Sequence, residues 1–507
     1  MKVTEVTLKV FGGNSREVVA APLESAELGE LFVYNNGSKR ILLKLTKFEY
    51  VSTINEQFLA EMSKQSANAK PYTLTYAGSP VTLIVKLKPL VEIDGSSVKT
   101  VRSAIPPGCE LKEARAEDLS FLKKPGGLYL GDVRSGNKNL GVKVILDPKK
   151  VVLTHVLVAA TTGRGKSNLL KVLLWSLMDS PKLGVVVMDP HREYYEALRD
   201  HPNASESLVS FSPNPKGEAK LAVSTRLIRP VHINGVIKLS EAQEREAELL
   251  SRRSENSFGD EWIEALIDGR AYENLENNDP EKTARYVLSR KLGRLLSLDQ
   301  EGHYGIFKMP SKLKAGEISG EHFFEQLDSA LEQKKVVVID TSTISADAEL
   351  LLGNMVAHHI LDKRIKQKQE GKEPTPVAVV LEEAPRVLSK DSPPNAYMRI
   401  AREGRKFNVG LIAVSQLISV IPEDILANIN TKIYMGMASG KERRAAIDNA
   451  LNDMENEEDE LLRLDVGEAV LTSSVIGFAL PLKIPFVDEL KRSLPSESLS
   501  PKKLIEE

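Results

Sequence analysis

The sequence predicts an α/β protein with a mainly parallel sheet, a helical insertion in the sheet domain and a small β-barrel before it. Three observations support this prediction. The apolar run Val151–Ala160 precedes a loop of small residues and a leucine-rich segment, the order of a buried strand, a loop and a helix. Later apolar runs end in acidic or polar residues, as parallel strands do where they build a site. The first 130 residues alternate short apolar runs with turn residues.

Residues 1–130 are expected to form a small antiparallel barrel or a sandwich. The turns between its strands are marked by Gly, Asn and Pro, as in Asn35-Asn36-Gly37. No set of residues suited to catalysis occurs here, so a docking or oligomerisation module is favoured over a second active site. The predicted strands are Val3–Phe11, Glu30–Tyr34, Arg40–Glu49, Tyr72–Tyr76, Val81–Leu87 and Gly127–Tyr129.

Residues 131–486 are predicted to be the sheet domain. Between about 198 and 333 the pattern is charged and mostly helical, and a connection of that length is too long for a simple loop, so we expect a helical insertion packed against the sheet. Residues 487–507 are rich in Ser, Pro and Lys and are expected to form a C-terminal arm.

Composition sets the outer bounds. A chain of 507 residues with 42% hydrophobic and 27% charged residues is typical of a soluble globular protein of about three structural units. No apolar run approaches the roughly 18 residues of a membrane span, and residues 1–10 carry no secretory pattern, so we expect a cytoplasmic protein without a membrane partner. The single Cys109 excludes an internal disulfide and fits a reducing compartment. The net charge of −2 argues against a nucleic-acid coat protein, but not against a ring with a locally basic channel.

The loop after the first buried strand has the pattern of a phosphate-binding loop. Its two glycines allow consecutive N–H groups to point inward, and the following helix adds the positive end of its dipole. Ala160 stands where this pattern usually has its first Gly, which is tolerable if its φ is negative. Lys166 can reach the β- and γ-phosphates of ATP, and the Ser167 hydroxyl can ligate Mg²⁺. The predicted nucleotide-binding residues are Thr161, Thr162, Gly163, Arg164, Gly165, Lys166, Ser167 and Asn168.

Three strand ends offer the carboxylates that hydrolysis of a triphosphate needs. They end in Asp189, Asp340 and the doublet Glu382-Glu383. One carboxylate must help to hold Mg²⁺ and another must orient the attacking water, and the doublet supplies both at one position. About 30 residues later a strand ends in Gln416, the order of a RecA-type core. We therefore expect Glu382 in the metal shell, Glu383 as the catalytic base and Gln416 as a sensor, with Asp340 a solvated acid.

A basic cluster precedes the strand that ends in Gln416. Arg399, Arg402 and Arg405 are spaced by three, as on one helix face. An arginine from a neighbouring subunit can raise the rate of phosphoryl transfer; the alternative is a solvated face or an ion pair with Glu403. The histidines do not cluster with metal-ligand spacing, and His155 is expected inside the buried strand.

These pieces, in this order, resemble the HerA family of hexameric DNA-translocating ATPases, which are related to FtsK and to the ATPases of conjugative secretion systems. The resemblance covers roughly residues 125–475, and the N-terminal strands resemble the HAS barrel of that family more loosely. The sequence departs from the family at Pro385, where His is common, and at Arg164, where Ser is usual. The motifs are Ala160–Ser167, Asp189–Tyr194, Glu382-Glu383-Ala384, Arg402–Phe407, Val414-Ser415-Gln416 and Asn430–Ile433.

The resemblance implies a homohexameric ring with ATP between subunits. Arg405, with Arg402 second, would reach the nucleotide of the neighbouring subunit, while Lys166, Glu383 and Gln416 act from the subunit that holds it. It also implies double-stranded DNA as the substrate, a NurA-type nuclease as partner of the barrel, and a function in DNA end resection. Two alternatives remain: a related ring ATPase that moves protein or conjugative DNA, and a nucleotide-switched binding module that does not translocate.

Overall fold

The computed structural model describes residues 7–492 except 15, 23–24, 38, 53–80, 96, 123–125, 253–256 and 299–304. The predicted strand Tyr72–Tyr76, the first residues of the predicted strand Val3–Phe11 and the arm beyond Arg492 lie outside the described residues. Among the helices of the described part, none is long and apolar enough to cross a membrane.

The strands, in chain order, are β1 Thr7–Gly13, β2 Val18–Pro22, β3 Leu31–Asn36, β4 Lys39–Ser52, β5 Val81–Asp94, β6 Ser97–Lys99, β7 Glu110–Glu113, β8 Leu128–Ser135, β9 Lys138–Leu146, β10 Val156–Ala159, β11 Gly184–Asp189, β12 Leu208–Ser212, β13 Ala219–Lys220, β14 Val223–Ser224, β15 Phe307–Lys308, β16 Val336–Asp340, β17 Val377–Leu381, β18 Val409–Ser415, β19 Thr431–Met435, β20 Glu468–Ser473 and β21 Leu480–Lys483.

The α-helices are α1 Pro148–Val152, α2 Lys166–Asp179, α3 Glu193–Leu198, α4 Ala204–Ser207, α5 Pro230–Asn234, α6 Glu241–Ser251, α7 Trp262–Ile267, α8 Pro280–Leu295, α9 Phe323–Glu332, α10 Ala346–Gln369, α11 Pro385–Leu388, α12 Ala396–Glu403, α13 Glu423–Asn428, α14 Gly440–Asp448, α15 Glu458–Arg463 and α16 Val487–Arg492.

The N-terminal strands form a closed antiparallel barrel, which settles the choice between barrel and sandwich. The described strands pair in the order β2-β1-β7-β3-β4-β5, and β2 also pairs with β5. Side chains alternate along each strand: Phe32 faces the barrel interior, whereas Leu31 and Val33 pack with the core of the sheet domain. The barrel is therefore seated on the sheet domain by its outer apolar face.

The second sheet is mixed, with order β13-β12-β16-β11-β17-β18-β10-β19-β20-β21-β8-β9. From β13 to β19 the pairings are parallel, and from β19 to β9 they are antiparallel. Its strands are buried on both faces, so successive residues such as Val158 and Ala159 belong to different hydrophobic clusters. The predicted α/β core is confirmed.

Three local features differ from the sequence predictions. The strand expected over Val151–Ala160 begins only at Val156, because Asp147 accepts a hydrogen bond from the Lys149 N–H (3.0 Å) and caps α1. The predicted strand at Gly127–Tyr129 belongs to the large sheet as β8, not to the barrel. The charged insertion is not purely helical, since β12 joins the large sheet beside β16.

A buried ion cluster joins the barrel to the sheet domain. Lys44 of β4 is fully buried and its Nζ lies 2.6 Å from Glu457 and 3.2 Å from Glu460. Arg134 of β8 lies 2.5 Å from the other oxygen of Glu460. Burial lowers the pKa of Lys44, but the two carboxylates outweigh it and hold that pKa above its ordinary value. Lys44 is therefore charged in the native structure.

Lys44→Met is expected to destabilise the protein by about 3–5 kcal/mol, because it leaves two buried carboxylates without their shared cation. Urea unfolding at neutral pH measures this change in free energy of unfolding. The control is Lys39→Met on the same strand, where half of the lysine side chain is exposed and its pair with Glu92 is 2.8 Å long; because water screens an exposed pair, this substitution should change the free energy of unfolding far less. Equal effects of the two substitutions would contradict a specific stabilising role of the buried Lys44.

Candidate active site

The phosphate-loop pattern forms a curled loop between β10 and α2. Gly163 and Gly165 have φ of 79° and 101°, backbone angles that residues with a Cβ rarely adopt. Ala160 is not among the residues with positive φ, so alanine is accommodated there without strain. A Cβ on Gly165 would lie 3.4 Å from the methyl group of Met435. The local geometry is that of a loop that can present N–H groups to phosphate.

Lys166 lies between this loop and the acidic doublet. Its Nζ donates to the carbonyl oxygens of Ala160 (3.0 Å) and Thr161 (3.2 Å). Burial lowers the pKa of the Lys166 ammonium, whereas the carboxylates of Glu383 and Glu382 raise it. The lysine is therefore held next to both acids that the sequence predicted.

The acidic doublet and the predicted sensor meet at the carboxyl edge of the parallel strands. Glu383 is exposed and has a left-handed backbone, with φ of 49°. Gln416 Nε2 donates to its Oε1 (3.0 Å), and the Thr162 hydroxyl donates to Gln416 Oε1 (2.8 Å). These hydrogen bonds join three separate strand ends and connect the Glu383 carboxylate, through Gln416, to Thr162 of the phosphate loop.

Glu382 lies deeper than Glu383. Its carboxylate accepts a hydrogen bond from the Tyr194 hydroxyl, and burial raises its pKa. Tyr194 was not singled out as a site residue, although it belongs to the motif Asp189–Tyr194. Glu382 and Ser167 could both contribute oxygen atoms to a Mg²⁺ ion, whose remaining ligands would come from phosphate and water.

The two competing acids are engaged elsewhere. Asp189 caps α3 by accepting the N–H groups of Glu193, Tyr194 and Tyr195 at 2.9, 2.9 and 3.1 Å. Asp340 is buried and not solvated as expected: its carboxylate accepts the hydroxyl groups of Ser212 (2.8 Å) and Ser342 (2.6 Å) and lies 3.2 Å from Arg192. Both carboxylates are fully used by local structure, which favours the doublet as the reactive pair.

Asn168 and Arg164 contact other segments with their side chains. Asn168 Nδ2 donates to the Pro485 carbonyl (2.8 Å), and its Oδ1 accepts the Val487 N–H (3.0 Å). Arg164 donates to the Leu464 carbonyl (3.0 Å). These hydrogen bonds hold the loop against the segments around Leu464 and Pro485. Because both side chains are engaged there, only the backbone groups of Arg164 and Asn168 remain for a nucleotide.

The arginine cluster is divided. Arg399 lies 2.6 Å from Glu403. For this arginine the alternative of an ion pair with Glu403 is therefore correct. Arg402 lies 2.9 Å from Asp424. Arg405 is exposed, follows α12 in a 3₁₀ turn and has no ion-pair partner among the described residues.

Arg405 lies at the edge of the sheet opposite to the phosphate loop. It precedes β18, whereas Gln416 follows the same seven-residue strand, which at about 3.3 Å per residue spans roughly 23 Å. His155 lies at the same edge, because it precedes β10 and is not inside that strand as predicted. Burial and, second, the nearby charge of Arg405 lower the pKa of the His155 ring to about 4. The neutral ring accepts the Leu411 N–H at Nδ1 (3.0 Å). Arg405 therefore cannot reach the phosphate loop of its own chain.

Comparison with known proteins identifies the family of this chain. A family model described as "Helicase HerA, central domain" matches residues 128–362. The DNA double-strand break repair helicase HerA of Sulfurisphaera tokodaii is 30% identical over 422 residues, which are 80% of this chain and 78% of that protein. The protein of the same name from Pyrococcus furiosus is 25% identical over 94% of this chain and 91% of its own length. Among solved structures, the plasmid coupling protein TrwB with an ATP analogue has a TM-score of 0.49 at 14% identity, over 74% of this chain and 92% of that chain. The chain belongs to the HerA family of helicases, enzymes of the P-loop ATPase class.

Proposed function

We propose that this chain is an ATP-driven double-stranded DNA translocase and helicase. The observation that carries this proposal is the meeting of Lys166, Glu383 and Gln416 beside a phosphate loop at one edge of the parallel sheet. The printed names of the relatives, DNA double-strand break repair helicases, support duplex DNA as the track and DNA end resection as the process. A hexameric ring and a NurA-type nuclease bound to the barrel complete the proposal.

The chemistry of each side chain assigns its role in hydrolysis. The loop N–H groups and Lys166 bind the β- and γ-phosphates. Ser167 and Glu382 would hold a Mg²⁺ ion, which would neutralise charge on the phosphates. Glu383 accepts a proton from the attacking water as the new P–O bond forms and the bond to ADP breaks. Gln416, hydrogen-bonded to Glu383, holds that carboxylate in place and contacts the γ-phosphate.

The position of Arg405 supports an assembly in which ATP lies between subunits. The arginine is exposed at the edge opposite to its own phosphate loop, so it completes a site only if that edge of one subunit meets the loop edge of the next. Such a head-to-tail contact closes into a ring when its rotation closes. An arginine supplied in this way is worth about 10³–10⁵ in turnover.

Duplex DNA is expected to stimulate the ATPase. The full chain is mixed with ATP, Mg²⁺ and long linear duplex DNA, and phosphate release is measured with and without the DNA. We expect a severalfold increase that falls as salt rises, because sequence-independent contacts to phosphates release counterions. Turnover that is indifferent to DNA would favour the nucleotide-switched binding module.

The proposed catalytic base is tested by Glu383→Gln. Turnover should fall by about 10²–10⁴-fold, the usual contribution of a general base, while ATP binding measured by calorimetry persists. Lys166→Ala should instead lose binding, turnover or both. Glu196→Gln, a partly exposed acid on α3 paired with Arg199 at 2.8 Å, is the control and should leave turnover unchanged. Intact hydrolysis by Glu383→Gln would show that another strand end carries the base.

Action of Arg405 across subunits is tested by mixing two inactive variants. Arg405→Ala and Lys166→Ala subunits are each expected to be nearly inactive alone. After mixing, about a quarter of head-to-tail interfaces combine an intact loop with an intact arginine, one half times one half, so part of the ATPase activity should return. Lys406→Ala, the exposed neighbour, is the control and should need no complementation. A mixture that stays inactive would count against Arg405 and turn attention to Arg402.

A further inference from the structure

The phosphate loop has different neighbours on its two sides, because the strand before it lies between two different strands of the sheet. β10 lies between β18 and β19, and the order continues to β17 on one side and to β20 and β21 on the other. Glu383 and Gln416 follow β17 and β18. If the terminal phosphate of a bound nucleotide faces Glu383, as the proposed function requires, then the nucleoside end extends towards the loops of β19, β20 and β21.

A short segment pins that far side against the phosphate loop. We call residues 484–487, which run from the end of β21 to the first residue of α16, the strap. The Ile484 N–H donates to the Gly467 carbonyl (2.7 Å), and the Gly467 N–H donates to the Arg164 carbonyl (3.3 Å). Asn168, one residue after Ser167, holds the strap at Pro485 and at Val487. Phe486 is therefore fixed between two hydrogen bonds to the first turn of α2.

The strap buries its aliphatic side chains but not its aromatic one. Ile484 and Val487 are 2% and 8% exposed, whereas Phe486 is 56% exposed. Val466, the residue before Gly467, is 47% exposed. A pinned backbone with an exposed aromatic ring beside a phosphate loop offers the flat apolar surface that a nucleobase stacks on.

We propose that Phe486, with Val466 of the segment bonded to the strap, is the platform for the base of the bound nucleotide, an inference that rests on the proposed ATPase function. Asn168 is then a positioning residue: it ties the base platform to the helix that begins at the phosphates. The triphosphate is bound by the loop, and the adenine ring covers the Phe486 side chain. Binding of the base and binding of the phosphates are accordingly separable by substitution.

The test compares ATP with inorganic tripolyphosphate, which has the phosphates but no base. Phe486→Ala in the full chain should weaken binding of a non-hydrolysable ATP analogue with Mg²⁺ by about tenfold, measured by calorimetry, and should leave binding of tripolyphosphate unchanged. Phe486→Tyr should retain the affinity. The matched control is Phe11→Ala on the barrel, where the ring is 55% exposed and affinity should not change.

A second variant supplies a readout that a structural role would not give. Phe486→Trp adds an exposed tryptophan to a chain whose own Trp175 and Trp262 are buried, and the fluorescence of the new residue should change on addition of ATP but not of tripolyphosphate. Unchanged ATP affinity in Phe486→Ala, together with lost affinity in Lys166→Ala, would overturn the base platform and leave the ATPase proposal standing. Equal loss of ATP and tripolyphosphate binding in Phe486→Ala would also overturn it. Failure of the unsubstituted protein to bind either ligand would overturn both.

Discussion

The placement of β10 between β18 and β19 is the constraint from which the site follows. Val158 is in register with Val414 on one side and with Ile433 on the other. Because these strands are parallel, their carboxyl ends meet at one edge of the sheet, and the phosphate loop leaves that edge between Gln416 and Gly436. The Thr161 N–H and hydroxyl both donate to the Gly436 carbonyl, at 3.2 and 2.9 Å, while Thr162 donates to Gln416. Sheet register thus decides which side of the loop faces Gln416 and the acidic doublet and which side is bonded to Gly436.

The features predictable from sequence were local ones. The curl of the loop depends on Gly163 and Gly165, and the doublet Glu382-Glu383 directly follows a five-residue apolar strand. Both are patterns within a few residues, and the parallel sheet then brings them together. The start of β10 was equally local but was misjudged, because the apolar Val151 outweighed the helix-start signal of Asp147-Pro148.

Contacts between distant segments could not be predicted. The hydroxyl of Tyr194 binds a carboxylate 188 residues later, and Asn168 binds a carbonyl 317 residues later. No periodicity or motif in one sequence indicates such pairs, since they depend on which strands become neighbours. The same limit applied to Asp340, whose burial under Arg192 follows from the insertion of β12 beside β16. The sequence therefore predicted which polar groups are candidates for the site, whereas the sheet topology determines which partner each of them contacts.

The barrel and the phosphate loop are connected through one rigid element. Glu460, in the six-residue helix α15, accepts the Lys44 ammonium of the barrel and the Arg134 guanidinium of β8. Leu464 directly follows this helix, and its carbonyl accepts a hydrogen bond from the guanidinium of Arg164 in the loop. The buried carboxylate of Glu460 in so short a helix cannot shift without losing its counter-ions, and Leu464 after the helix cannot shift without releasing Arg164. The ion cluster that joins the barrel to the sheet domain therefore also positions Leu464, the residue that Arg164 of the phosphate loop contacts.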